Sequence, residues 1–326
     1  MLAAWYEKNG PASEVLRVGE LPDPEPGAGE VRVRLRASGL NPSDVKARGG
    51  SRPVVPPRVI PDSDGAGVID RVGPGVPKKR LRTRVWVYNG QWQRPHGTSA
   101  QFIVLPARQA VPLPSKLTFV QGACLGIPVM TAHRCLFADG PIRGMNVLVT
   151  GGAGVVGHYA IQLARWTGAR VIATASSEEK AAHARKAGAH AVVNYRTEDV
   201  PARLKALTGG AGFDRVVDVE FGANLRSYAG ALRQHAVVAT YASTKAAEPA
   251  LPFYDLMRLN LTLRLVFVYT MTDAAKRRAL ADIARWIAKG RPRFAIAARF
   301  PLTEVAAAHE LVESGRKLGH VVLDIP

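Results

Sequence analysis

Three glycines set out the chemistry this chain could do. An apolar run, Val147, Leu148 and Val149, leads into Gly152, Gly154 and Gly157, spaced Gly-x-Gly-x-x-Gly, and a helical pattern follows from Val155 to Trp166. At that spacing Gly152 permits a tight turn, Gly154 lets backbone approach a pyrophosphate, and Gly157 allows close helix–sheet packing. Backbone N–H groups at the positive end of the helix, those of Val155 and Val156 among them, would face the phosphates. The motif alone is weak, because glycine-rich turns are common. Here strand, turn and helix come in the required order, and a second strand, Arg170 to Thr174, follows on schedule. The pattern reads as a dinucleotide-binding turn rather than a purely structural one.

The second strand also bears on which dinucleotide. Where an NAD-binding fold places an acid at the strand tip to receive the ribose 2′-hydroxyl, this chain has Ala173 to Ser177 and no carboxylate. Glu178 and Glu179 read as first-turn residues of the next helix, where acids favour the dipole. Ser176 with Lys180 makes a hydroxyl-lined, cationic setting that suits a 2′-phosphate. For Ser176 alone a second reading stands, that of a helix cap. Together the two residues point to NADP.

These residues need elements to hold them. Residues 1 to about 120 read as short strands broken by Pro and Gly, with clean alternation at Val31–Leu35 and Gln101–Leu105. That texture is β-rich and barrel-like. From about Thr118 helices alternate with apolar strands. One helix is expected over Thr118–Phe137 and others over 155–167, 178–187, 199–208, 224–233 and 273–289. Strands are expected at 147–150, 170–174, 190–193, 214–219, 236–241 and 263–269. Alternation of this kind means a parallel sheet covered on both faces, an α/β fold. The tail returns to strands at 297–300 and 320–325 around a helix over 302–314, and is expected to fold back on the first domain. The division is 1–120 with 298–326, and 121–297.

Composition narrows the function. The chain has 326 residues, 47% hydrophobic, enough for two ordinary domains with ample core. No stretch reaches the roughly 18 apolar residues that span a bilayer, and the first residues lack an apolar signal core, so a cytoplasmic location is expected. Cys124 and Cys135 are the only cysteines. They support neither a disulfide framework nor a thiolate zinc site. The net charge of +18 raises nucleic-acid binding. The excess is scattered, however, and the densest run, Lys78 to Arg84, lacks interleaved aromatics. It reads as a solvated loop.

Several motifs taken in order carry a resemblance. They are Gly39–Asp44 (Gly-Leu-Asn-Pro-Ser-Asp), Ile60–Gly67 (Ile-Pro-Asp-Ser-Asp-Gly-Ala-Gly), Gly126–His133 (Gly-Ile-Pro-Val-Met-Thr-Ala-His), the glycine turn, and Val192–Arg196. With them the chain resembles, nearly end to end, the zinc-free, zeta-crystallin-like quinone oxidoreductase branch of the medium-chain dehydrogenase/reductases. The resemblance implies a GroES-like catalytic domain built from both chain ends and a Rossmann domain between them that binds NADPH. It implies that Lys180 and Tyr195 hold the 2′-phosphate, and that Asn41, Pro42 and the threonine of the Met130–Ala132 turn, Thr131, line the nicotinamide end. The peptides at Tyr241–Ser243 and Phe267, Val268 and Tyr269 follow the cofactor. Departures are visible. A family glycine is Asp62 here, and a Gly-Asp pair is Arg82-Thr83. A Gly-Lys pair near the C-terminus is Gly319-His320. A phosphate-reaching arginine of some members falls on Gly315, with Arg316 or Lys317 as substitutes.

The zinc-dependent relatives have Cys and His ligands where this chain has Asn41 to Asp44. Without a Lewis acid, simple alcohol oxidation lacks its activating group. Hydride delivery to an already electrophilic acceptor, a quinone or alternatively an enone, remains feasible. Candidate hydrogen-bond donors to the developing oxyanion are Asn41, Ser43, Lys46 and Thr131, with Lys46 or solvent completing protonation. Asn41 has a second reading, as a brace for the turn before Pro42. Asp44 reads as a structural acceptor, and His96 and His133 as non-catalytic. The apolar strand Thr262–Tyr269 is expected at a sheet edge, where pairing with a second copy would make a homodimer.

Overall fold

The computed structural model describes residues 1–326. They form two compact units, residues 1–127 with 294–326, and residues 128–293.

The chain begins with β1 (Leu2–Trp5), β2 (Arg17–Glu20), β3 (Glu30–Leu40), β4 (Asp64–Val72), β5 (Arg84–Val87), β6 (Phe102–Pro106) and β7 (Ala110–Pro112). It continues through β8 (Asn146–Val149), β9 (Arg170–Ala175), β10 (Ala191–Asn194), β11 (Phe213–Asp218), β12 (Leu232–Thr240) and β13 (Thr262–Leu265), and ends with β14 (Ile296–Pro301) and β15 (His320–Asp324).

In the first unit the sheet order is β14-β15-β3-β4-β5-β7, with β6 also on β3, so the returning tail supplies two strands. β3 is the spine. Val31, Val33 and Leu35 are wholly buried in a core completed by Ile69, Ile103, Leu302 and Val321. Alternation along β3 is the period-2 signature of a strand with one buried face. Arg32 breaks the outward-polar rule, since it is 4% exposed. It pairs with Asp70 at 2.7 Å and lies over the Phe102 ring.

In the second unit all six strands are parallel, in the order β10-β9-β8-β11-β12-β13. Val147, Leu148, Val149, Val171, Ile172, Val216 and Val217 are fully buried. Burial on both faces is why these strands read as unbroken apolar runs. The chain reverses direction across the sheet between β8 and β11, which opens a crevice beyond their carboxyl ends.

Five expectations need correction. The helix expected over Thr118–Phe137 is two, Phe119–Gly122 and Ile127–Phe137, because the chain passes the Asp64 carboxylate at Gly126. Thr131 consequently lies within the second helix and not in a turn. The helix expected at 224–233 runs Phe221–Tyr228, followed by a 3-10 turn Ala229–Ala231. Asp218 accepts from the Glu220 N–H and the Asn224 side chain, fixing an early start, and Gly230 is a poor helix former. Strand β12 accordingly begins early, at Leu232. The strand expected at 263–269 stops at Leu265; Phe267 caps a 3-10 turn over Val268–Thr270 that leads into the helix Asp273–Lys289.

Candidate active site

The glycine turn is built from backbone outward. The Gly151 N–H donates to Thr174 Oγ1 at 3.1 Å, and the Gly152 N–H to the Thr174 carbonyl at 2.9 Å, so β9 pins the turn leaving β8. A Cβ on Gly157 would come within 2.5 Å of the Gly151 carbonyl oxygen, and one on Gly152 within 2.8 Å of Ala173 Cβ. Only glycine fits at either place. Gly154 is the N-cap of helix Val155–Trp166, and no side chain caps that helix. Its first-turn N–H groups therefore keep the polarity that attracts an anion. The cradle fits a dinucleotide pyrophosphate.

Asp218 ties the crevice together, and sequence reasoning missed it. The carboxylate is fully buried at the end of β11. It accepts from Thr150 Oγ1 at 2.6 Å, Asn224 Nδ2 at 2.8 Å and Tyr228 Oη at 2.7 Å. Thr150 Oγ1 in turn accepts the Val219 N–H at 3.0 Å. Strand ends β8 and β11 are thus locked where the strand order reverses. Burial and the Asp218 charge push the Tyr228 phenol well up, so it stays a donor. The signal available in the sequence was an acid closing an apolar strand.

Ser176 and Tyr195 directly follow the carboxyl ends of the paired strands β9 and β10, and Lys180 lies in the helix that comes next after Ser176. The Tyr195 N–H donates to the Ala175 carbonyl at 3.0 Å. Lys180 sits in the first turn of helix Glu178–Ala187. The cap of that helix is Ser177, whose Oγ accepts the Lys180 N–H at 3.3 Å. This removes the capping alternative for Ser176, which is 9% exposed. Glu178 and Glu179 lie in the first turn, as expected, and Glu178 pairs with Arg185 at 2.6 Å. Tyr195 is 52% exposed, with its ring open to a ligand.

The remaining residues of this unit are less uniform. Tyr241 donates its N–H to the Asp218 carbonyl at 3.2 Å, next to the reversal point. Ser243 Oγ accepts the Gly222 N–H and donates to the Ala246 carbonyl, so its hydroxyl is committed to its own loop. Val268 and Tyr269 are buried, and Lys276 Nζ holds the Tyr269 carbonyl at 3.1 Å. Phe267 is 53% exposed. Thr131 is buried in helix Ile127–Phe137.

In the first unit Asn41 opens the short helix Pro42–Lys46. Its N–H donates to Asp44 Oδ2 at 2.9 Å, and its side-chain N–H to Asp64 Oδ2 at 2.9 Å. The brace reading of Asn41 therefore has a structural basis, and it also fixes where the side chain stands. Asp44 acts as an acceptor; burial, with Asp62 and Asp64 nearby, pushes it well above the usual carboxylate range. Lys46 is exposed and lines a cavity of about 430 Å³ with Pro42, Val45, Ser51 and Glu313. His133 hydrogen-bonds Asp282 at 2.8 Å, and burial holds His96 and His133 below the usual imidazole value. Burial pushes the Cys135 thiol up to about 12 and Cys124 well above its usual value.

Comparison with known proteins gives two domain matches: an alcohol dehydrogenase GroES-like domain over residues 27–115 and a zinc-binding dehydrogenase domain over 155–287. Rat quinone oxidoreductase (Rattus norvegicus) is 31% identical over 98% of this chain and 95% of its own length. The chain belongs to the quinone oxidoreductase family of medium-chain dehydrogenase/reductases. A 2-haloacrylate reductase from a Burkholderia species is 32% identical over 99% of this chain and 98% of its own. A crystal structure of an NAD-dependent alcohol dehydrogenase superposes with a TM-score of 0.91 at 33% identity, covering 100% of both chains. The Escherichia coli quinone oxidoreductase complexed with NADPH does so at 0.86 and 27% identity, over 99% of this chain and 100% of its own. The first unit is thus the GroES-like part of the family fold and the second the Rossmann part.

Against that family the departures acquire a geometry. Asp62 and Arg82, which the resemblance sets against family glycines, have φ of 70° and 63°. Each keeps the left-handed backbone without the residue that favours it, at a cost of order 1 kcal/mol. Asp62 is held there by Ser99 Oγ and faces His309 at 3.4 Å. Lys317 does not substitute for the arginine lost at Gly315. Its Nζ turns to the Gly319 carbonyl at 2.8 Å, and burial lowers its pKa to about 8. Arg316 is the exposed cation of that turn. In the basic run, Arg80 donates to the Ala110 carbonyl and Arg84 to that of Leu117, so two of its three arginines serve the fold.

Proposed function

We propose that this quinone oxidoreductase family member is an NADPH-dependent reductase that passes a hydride to a quinone without a metal. The observation that carries the cofactor assignment is the grouping of Ser176, Lys180 and Tyr195 beside the glycine turn, with Glu178 engaged by Arg185. When bound, NADPH supplies the hydride. The first-turn N–H groups at Val155, Val156 and Gly157 hold its pyrophosphate, and Lys180 and Tyr195 its 2′-phosphate. Backbone at Tyr241 and Ser243, and at Phe267, Val268 and Tyr269, runs along it. We assign Asn41 and Pro42 of the first unit, and Thr131 of the second, to the reacting end of the cofactor, with Lys46 or solvent supplying the proton that completes reduction.

No three His, Cys, Asp or Glu side chains group as a metal site, and Asn41 to Asp44 offer a single carboxylate, which burial pushes well above the usual carboxylate range. The chemistry therefore rests on an acceptor that is electrophilic beforehand. A second reading, reduction of an activated alkene, is favoured by the likeness to the 2-haloacrylate reductase. We take residues 1–120 with 298–326 as catalytic domain and 121–297 as cofactor domain, in a cytoplasmic homodimer. No helix is long and apolar enough to cross a membrane.

Following NADPH and NADH oxidation with quinones and enones side by side tests the reading. Turnover of quinones with NADPH is expected. Intact NADPH binding without turnover of any quinone overturns it, and turnover of enones alone moves the assignment to the second reading.

A further inference from the structure

A cavity of about 270 Å³ opens in the second unit between the end of helix Ile127–Phe137, the turn before β8, the end of helix Val155–Trp166 and the middle of helix Asp273–Lys289. The glycine turn lies at the other end of helix Val155–Trp166. Twelve residues at 1.5 Å each put the two ends about 18 Å apart. The cavity is therefore no part of the cofactor cradle.

Its lining has two characters. Phe137, Ile142, Leu163 and Trp166 form an apolar wall, and Arg143, Arg278 and Arg285 supply three guanidinium groups. Asp282 is the only acid among them. Its Oδ2 is hydrogen-bonded to His133 at 2.8 Å, and its Oδ1 is paired with Arg285. Arg278 reaches Asp282 Oδ2 only at 3.9 Å, and its side chain is 56% exposed. Arg143 forms no ion pair; its stem lies 3.4 Å from where a Cβ on Gly168 would stand. Three cations against one engaged carboxylate leave a surplus of positive charge over an apolar wall with two aromatic rings.

We propose that this cavity is a binding site for a small aromatic carboxylate. The ring packs on Trp166 and the edge of Phe137, and the carboxylate is taken by Arg143 and Arg278, which carry the unmatched charge. Guanidinium–carboxylate contacts beside apolar surface are the strong kind of polar contact, because the wall excludes water from one side. A phosphate alone would leave the wall unused, and a neutral ring would leave the arginines unused.

Titration calorimetry with 2-naphthoate and its neutral amide, 2-naphthamide, tests this. The wild-type protein should bind the naphthoate at least about ten times more tightly than the amide. The Arg278→Gln/Arg285→Gln variant, altered only on an exposed helix face, and Arg143→Gln, on a separate segment, should each lose most of that preference. Binding should survive saturating NADPH and the Lys180→Ala substitution. Equal affinity of the wild-type protein for the two compounds overturns the proposal. So does an unchanged preference in both arginine variants, or displacement of naphthoate by NADPH.

Discussion

Asn41 and Asp64 are joined across 2.9 Å, and the Ile127 N–H donates to the same Asp64 oxygen at 2.8 Å. One carboxylate oxygen thus serves a side chain from the helix start at Asn41 and the backbone just past Gly126. A Cβ on Gly126 would fall 1.9 Å from the other oxygen, so that glycine exists to let the chain pass. Burial pushes the Asp64 carboxyl up to about 8, against the downward pull of Asn41 and Ile127. Asp64→Ala would take a buried acceptor away from the Asn41 amide and the Ile127 N–H and should lower stability by about 2–4 kcal/mol in urea unfolding. Asp64→Asn keeps one oxygen able to serve both donors and should cost clearly less. Equal losses in the two variants would show that the oxygen is not the point.

His158 sets an acid limit on stability. Its Nε2 donates to the Arg293 carbonyl at 2.9 Å, and Nδ1 is buried without a partner. Burial, the largest influence, lowers its pKa to about 4. The unfolded chain binds this proton near 6.5 and the folded chain only near 4, so the contribution is complete above 6.5 and is lost as pH falls towards 4. The full span is up to about 3 kcal/mol. Urea midpoints measured from pH 7.5 to 4.5 should fall less steeply in His158→Gln, whose amide can still donate to Arg293. Parallel curves for the two proteins would exclude His158 as the source.

Lys180→Ala separates the two nicotinamide cofactors. Loss of one charge-assisted contact costs roughly 1.5–3 kcal/mol, about ten- to hundredfold in affinity. NADPH binding should weaken by that factor and NADH binding should hardly change. Fluorescence titration with each cofactor reads both. Equal weakening would make Lys180 a structural residue of its helix and return the cofactor question to the NAD-dependent neighbour.

What could be read in advance follows from the range of the forces involved. The glycine turn and the parallel strands announce themselves by local spacing, since each satisfies a rule within a dozen residues. Asp218 and Asp64 do not, because their partners lie far away in sequence: Thr150 is 68 residues from Asp218 and Ile127 is 63 from Asp64. The break in the helix expected over Thr118–Phe137 has the same origin. Its pattern is helical throughout, and only the distant Asp64 carboxylate explains why the chain pauses at Gly126. Ser177 as the cap in place of Ser176 is a one-residue shift that periodicity does not resolve. Asp62 kept a glycine-like φ because Ser99, 37 residues on, holds its side chain.

Strand β13 has one side on β12 and the other at the end of the sheet. Beyond it the Val266 N–H donates inward to the Thr240 carbonyl at 2.8 Å. Successive N–H groups alternate along a strand, so that of Leu265 points to the open edge. Leu265 is 75% exposed, and nearby Phe253, Tyr254 and Phe267 are each more than half exposed. An apolar edge of this kind is stable in water when a second edge covers it. Two copies related by a two-fold axis would satisfy both edges at once. A proline at Val266 would break the bond to Thr240 and damage the subunit itself, so the informative change is Leu265→Lys, which puts a charge on the edge and leaves the inward bonds intact. Light scattering at micromolar concentration should give a dimer for the wild-type protein and a folded monomer for Leu265→Lys. A wild-type monomer, or a variant that remains dimeric, would remove β13 as the interface.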